Sequence, residues 1–362
     1  MLIAEGLKGL GVEVTVVSPV EAEGFVSICV PHPQAEPSIG DHPPAGETIA
    51  ARAKNVLRRQ LLLPDPDIRW ARRAAKAAIE QATGVYDGVI TTSPPESIHV
   101  AGAKVAKHLQ IKWLADFRDS WLEDPLLEVR RNKFRKSIER KLAQHWLRAA
   151  DAVSAVSDVI VSELDDLFEQ PVLLLPQMVR PSPQLKPIQN GYFNIGYTGS
   201  FSLSDPRRTI DLLLNEVEAA YRVRQDFRLH LAGRLTSTES QAISKSIAKD
   251  AFELYGVLDY DACLSLQAQM DALLLVTSAE TTAVPGKKFE YAAFDLPILE
   301  ISGADSAADD DADKEPLIVR ACKSPNCFTT DMPDIFQVEI AAQRICTELG
   351  IRINARTKES GR

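Results

Sequence analysis

The sequence predicts an α/β protein of two Rossmann-like domains, and three observations carry that prediction. Short β-branched runs alternate with longer stretches whose apolar residues recur at three-and-four spacing, the pattern of βαβ units around a parallel sheet. The alternation fails once, at PQMVRPSPQLKPIQNG (176–191), where four prolines and a closing Asn-Gly mark a linker. The 362 residues exceed what one ordinary core organises and suit two. The expected division is an N-terminal domain at 1–176, a linker at 177–191, a second domain at 192–335, and a C-terminal helix and tail at 336–362.

Residues 1–11 read as a helix, with Leu2, Ile3, Leu7 and Leu10 on one face and Gly9 and Gly11 at its end. VEVTVVS (12–18) then has the place of the second strand of a Rossmann unit. The expected N-terminal domain therefore lacks the central first strand and its glycine loop, and it should be the less stable of the two. Further strands are predicted at 88–92, 112–117, 152–155 and 172–175. Helices are predicted at 48–60, 70–82, 98–108, 130–149 and 158–168. After the linker, strands are expected at 193–198, 227–232, 252–255, 272–276, 297–301 and 317–320, with helices between them. Thr238 and Gln241 have the spacing of a helix capping box. The proline-rich 31–46 and the acidic 303–315 are expected as surface loops.

Composition excludes several classes. Apolar residues make up 45% of the chain, but no run approaches the roughly 18 that a membrane span needs. LIAEGLKGLG after Met1 has no basic region and no small-residue cleavage site, so a cytoplasmic protein is expected. Lys and Arg number 41 against 50 Asp and Glu, a net charge of −9 that argues against nucleic acid as a partner. The five cysteines are scattered and form no paired CxxC, which implies neither a disulfide framework nor a zinc site. VRRNKFRKSIERKLAQHWLRAA (129–150) holds eight basic residues and one acid, with Phe134, Ile138, Leu142 and Trp146 on one face. That face suits a sheet, and the basic face suits water or the inner face of an anionic membrane.

The strongest chemical signal is VPGKKFEYAAFDLPIL (284–299), placed between two predicted strands. A helix opening at Gly286 would turn the amides of Gly286, Lys287 and Lys288 towards a phosphate, with the Lys287 charge beside them. One turn on, Glu290 offers a carboxylate that can accept from both hydroxyls of a ribose.

This segment resembles the retaining glycosyltransferases of family 4, in one bacterial branch. The likeness extends to YTGSFSLSDPRRT (197–209), LYGVLDYDACLSLQAQMDALLLV (254–276), TTSPPESIHVAG (91–102) and KWLADFRDSW (112–121). The resemblance implies a GT-B fold, with the two domains facing across a cleft. It also implies transfer from a nucleoside-diphosphate sugar to an acceptor hydroxyl, in cell-envelope or exopolysaccharide synthesis, with a glycan or lipid-linked acceptor. The nucleotide sugar would be a co-substrate, and no cofactor or metal is expected, since nothing resembles an Asp-x-Asp motif. By position, Glu290 would hold the ribose, and Gly199, Ser200, Arg207, Arg208 and the amides at 286–288 would surround the diphosphate. The segment around Leu258 would pass along the base.

Three positions depart from the family pattern. Thr282 stands where a sugar-binding glutamate is usual, with Glu280 nearby, and Ser200 stands where many members have arginine. Arg118 replaces a histidine beside Asp119, which leaves Asp119 the first choice for a reaction-centre carboxylate, with Arg118 orienting an oxygen. Asp116 reads as a turn cap, and His99 as a capped or half-buried helix residue. Two alternatives stay open: an epimerase of sugar nucleotides on the same fold, or an inactive nucleotide-binding partner or remnant.

Overall fold

A computed structural model describes residues 1–32, 62–122, 133–180, 182–203, 207–277, 286–302, 315–328 and 336–351. The predicted helix at 48–60, residues 33–46, residues 303–314, and Glu280 and Thr282 lie outside the described residues. The chain divides into two compact units, Met1–Met178 with Phe336–Arg362, and Val179–Ile335. Each is an α/β unit with parallel strands, and together they are two Rossmann-like domains.

The first unit opens with α1 (Leu2–Gly9), β1 (Thr15–Ser18) and β2 (Val26–Cys29). It continues through α2 (Ile68–Glu80), β3 (Gly88–Ser93), α3 (Ile98–Leu109) and β4 (Lys112–Phe117) to α4 (Lys133–Leu147), β5 (Ala152–Ala155), α5 (Asp158–Asp165) and β6 (Leu173–Leu174). Strands β3-β4-β5-β6 form one parallel sheet, while β1 and β2 form a separate parallel pair. Strand β2, which the sequence pattern does not mark, has one buried residue, Ile28. Among the described residues no ladder joins β1 to β3. Both nevertheless share two helix layers. Val17, Ile28 and Val89 pack with Trp70 and Ala74 of α2 and Val105 of α3. On the other face, Val14 and Ile90 pack with Leu7 of α1 and with Ala341, Ala342 and Ile345 of the C-terminal helix, Val338–Leu349. That helix lies so close to α1 that a Cβ on Gly6 would meet Val338 Cγ1 at 2.7 Å.

The interrupted sheet leaves β1 half-buried along its whole length, whereas every residue of β5 is buried. Unpaired ladder groups at such a break gain little from burial.

The second unit holds β7 (Met178–Val179, at the boundary), β8 (Phe193–Thr198), α6 (Ile210–Val223), β9 (Phe227–Ala232), α7 (Ser237–Lys245) and β10 (Phe252–Gly256). Then come α8 (Tyr260–Gln267), β11 (Ala272–Thr277), α9 (Gly286–Ala292), β12 (Ile298–Ser302) and α10 (Leu317–Lys323). Its sheet is unbroken and wholly parallel, in the order β10-β9-β8-β11-β12. Every residue of β11 is buried, as a strand covered on both faces requires.

Three local expectations are corrected. Residues 317–320 are helical in α10, not a strand. Ile318, Val319 and Ala321 are buried in the core that includes α6, and Glu216 Oε1 accepts from the Ile318 amide at 2.8 Å. A short apolar run carries no period of its own, and packing decided it. The capping box is Thr236 with Glu239, two residues before the expected pair, with reciprocal bonds of 3.2 and 2.7 Å. Helix α4 buries Glu139, Ala143 and Leu147 most deeply; of the expected face Trp146 packs against the core that includes Ala143 and Leu147, while Phe134 is 75% exposed. Arg135 Nε, 2.8 Å away, neutralises the buried Glu139 carboxylate.

The break between β1 and β3 predicts uneven local stability. Amide exchange in native buffer should be at least about tenfold slower in β8, β9 and β11 than in β1 and β2. Equal protection in the two sheets would contradict it.

Candidate functional site

In the second unit the C-terminal strand ends converge on one cavity of about 300 Å³. It is lined by Thr198, Gly199, Ser200, Ala232, Gly233, Arg234, Val257, Leu258, Cys263 and Lys287. The turns after β8 and β9 can meet there because both begin with glycine. Gly199 and Gly233 have φ of +145° and +154°, and a Cβ on Gly233 would lie 1.8 Å from the Gly199 carbonyl oxygen. The Gly199 amide donates to Ala232 O at 2.8 Å, and the Gly233 amide to Gly256 O at 2.7 Å, so the three turns are laced together. From behind, Tyr197 donates to Ser200 O at 3.1 Å. Glu239 accepts from the Ser202 hydroxyl at 2.6 Å, so the capping-box glutamate of α7 also anchors the loop after β8.

Beside the cavity, Thr198 Oγ1 is a hub. It accepts from Gln267 Nε2 at 2.7 Å and from Lys287 Nζ at 3.1 Å, and the buried Tyr291 hydroxyl lies 3.4 Å away. Burial pushes the Tyr291 phenol up to about 12, so it stays neutral. Lys287 Nζ is 3.6 Å from Glu290 Oε1, and the two side chains are 37% and 20% exposed. Lys287 thus brings a cation to the cavity lining. Val257 and Leu258 add apolar surface to the lining.

Of the sequence-predicted residues, Gly199, Ser200, Leu258 and Lys287 line the cavity, and Glu290 adjoins it through Lys287. Gly286 opens α9. Lys288 donates to Glu300 on β12 at 3.2 Å. Arg208 hydrogen-bonds the Tyr197 hydroxyl and so braces the turn after β8, and Arg207 is exposed next to it. Neither arginine lines the cavity. Arg234 does, a cation that the sequence reading passed over, with no ion-pair partner among the described residues. A signal was present: LAGR repeats, after β9, the strand-then-glycine pattern of YTGS after β8. Gln267 was passed over as well, and its contacts carry no motif.

In the first unit, Arg118 and Asp119 follow β4 directly. Arg118 Nε donates to Asp116 Oδ2 at 2.7 Å, and Nη1 reaches the Leu175 carbonyl at 3.2 Å. Asp116 is fully buried and also accepts from Ser154 at 2.7 Å, so it is half of a buried ion pair, not the turn cap expected. Arg118 Nη2 is buried without a hydrogen-bond partner. Asp119 is exposed, on a loop that Glu163 pins by accepting from Ser120 and from the Leu122 amide.

His99 is fully buried, not half-buried as expected. Thr91 Oγ1 accepts from Trp113 Nε1 at 2.8 Å and lies 2.9 Å from His99 Nδ1, so one hydroxyl links the two rings. Burial pushes the imidazole down to about 3, and it is neutral near pH 7.

Two Rossmann-like units, one with its cavity at the strand C-termini, are the architecture of the GT-B class. Residues 1–176 match the family model of the glycosyl transferase 4-like domain. No curated protein sequence matches the chain. Sucrose-phosphate synthase from Thermosynechococcus elongatus is similar in structure, with a TM-score of 0.55 and 13% identity over 97% of this chain and 88% of that one. UDP-GlcNAc 2-epimerase from Neisseria meningitidis, bound to UDP-GlcNAc, has a TM-score of 0.51 and 10% identity over 80% and 83%. The chain spans 56% of the length of S. aureus TarM, at 10% identity over 78% of this chain and a TM-score of 0.44. At these identities the likeness is one of fold.

Two outcomes follow from this geometry. Gly233→Ala should cost about 2 kcal/mol or more of stability and abolish ligand binding, because the new methyl overlaps a backbone carbonyl. Gly9→Ala, where a Cβ meets nothing within 4 Å, is the control in thermal melts. Acid should weaken the first unit through His99. Between its unfolded pKa near 6.5 and its folded value of about 3, the unfolded chain takes a proton that the folded chain refuses. Stability should fall as pH drops through that window, and His99→Gln should flatten the fall in denaturant titrations.

Proposed function

We propose that the chain transfers a glycosyl group from a nucleoside-diphosphate sugar to an acceptor hydroxyl with retention, in cell-envelope or exopolysaccharide synthesis. The observation that carries this reading is a cavity lined by both Lys287 and Arg234 and by the paired glycine turns, with the Glu290 carboxylate alongside. Cations and close-approaching backbone suit a diphosphate, and the carboxylate suits ribose hydroxyls. The match of 1–176 to the glycosyl transferase 4-like domain supports transfer, and an epimerase structure of the same fold that holds UDP-GlcNAc supports a nucleotide sugar as the ligand.

In this reading the chemical difficulty is negative charge growing on the leaving diphosphate. Lys287 leaves Thr198 to meet that charge, and Arg234 neutralises it from the β9 turn without a metal. Gly199 and Ser200 receive the phosphates, and Arg208 acts on them through the turn it braces. Leu258 packs along the base. Arg118 and Asp119 serve the acceptor side, with the exposed Asp119 carboxylate as the group a substrate can reach. The acceptor is a glycan or lipid-linked glycan, and the basic α4 is the face that would meet an anionic membrane from the cytoplasmic side.

Glu290→Ala should raise the donor Kd at least about tenfold while leaving the fold intact. Lys287→Ala should act mainly on turnover, lowering kcat about 100-fold or more. Radiolabelled sugar transfer with several nucleoside-diphosphate sugars reads both. Unchanged nucleotide affinity in Glu290→Ala removes the ribose role, and epimerised donor without transfer favours an epimerase.

A further inference from the structure

Gln267, the last residue of α8, is fully buried, and its amide nitrogen donates at 2.7 Å both to Glu290 Oε1 and to Thr198 Oγ1. Chemistry fixes that orientation, since an ionised carboxylate only accepts and the amide oxygen could not face it. Its own Oε1 is buried without a partner, an arrangement that core packing alone does not favour. Among the described residues, the polar contacts of Glu290 all fall on Oε1, from Gln267 and Lys287. Oε2 is left available.

We infer that Gln267 is the positioning residue of the nucleotide pocket: it holds the Glu290 carboxylate in one orientation, so that the remaining oxygen meets the ribose hydroxyls. The inference rests on the nucleotide-sugar reading above. A glutamate held only by its own backbone keeps three side-chain torsions that ribose would have to freeze on binding. Gln267 freezes them beforehand, and its second bond, to Thr198 on β8, ties the carboxylate to the strand that carries the glycine turn.

The test is ribose discrimination, which a merely structural residue would not change. Dissociation constants are measured for UDP, ADP and GDP and for their 2′,3′-dideoxy counterparts. The wild type should bind at least one ribonucleotide about tenfold more tightly than its dideoxy form, and Glu290→Ala should bring that ratio to about one. Gln267→Met should also bring the ratio towards one while leaving the dideoxy affinity within about twofold. Gln267→Glu is isosteric and provides the check if the methionine variant folds poorly. At high pH two carboxylates repel and discrimination is lost. As pH falls and residue 267 becomes protonated, its O–H replaces the amide donor and discrimination returns, whereas the wild-type ratio stays flat. A Gln267→Met protein that keeps the wild-type ratio, or weakens both ligand classes alike, overturns the positioning role. A wild type with no ribose preference, or a Glu290→Ala protein that retains one, overturns the ribose assignment itself and the inference with it.

Discussion

The candidate site depends on one steric constraint, the approach of the β9 turn to the β8 turn at Gly233 and Gly199. A methyl group cannot replace the Gly233 hydrogen, because its carbon would lie 1.8 Å from the Gly199 carbonyl oxygen. The approach brings Arg234 to the same cavity as Ser200 and Lys287. It also aligns the strand ends so that Thr198 can collect Gln267, Lys287 and Tyr291 around one oxygen. The unbroken sheet below, with β11 buried throughout, gives these contacts a rigid base.

The first unit is built on different terms. Its sheet is interrupted between β1 and β3, and it holds polar groups in deep burial: the Asp116–Arg118 pair, and a neutral His99 that ties α3 to Thr91 of β3. Removing one member of such a pair strands a charge, so these groups couple the loop after β4 to the strand beneath it. Ser93 Oγ, Ser97 Oγ and His99 Nε2 are all buried there without partners, a concentration of unmet polar capacity at the strand ends.

Much of the framework was legible in the sequence because parallel strands covered on both faces read as short apolar runs. Strands at 112–117, 152–155, 193–198 and 227–232 lie where the pattern puts them. The pattern misled where tertiary contacts decide. Leu317–Lys323 has the composition of a strand and the contacts of a helix, and α4 turns its acid Glu139 inward because Arg135 accompanies it. For the site, Lys287 and Glu290 were legible as a helix-start motif, and Gly199 as a strand-end glycine. Gln267 was not. A glutamine in an amphipathic helix has no spacing to mark it, and only the fold brings it to Glu290 from 23 positions away.

The central claim is that the strand-end cavity of the second unit holds a nucleoside diphosphate. Hydrogen exchange with and without saturating UDP, ADP or GDP tests it most directly. At least one of them should slow exchange together at 198–200, 233–234, 257–258 and 287–290, and leave β1 and β2 unchanged. Protection confined to other segments, or none with any nucleotide, would contradict the account.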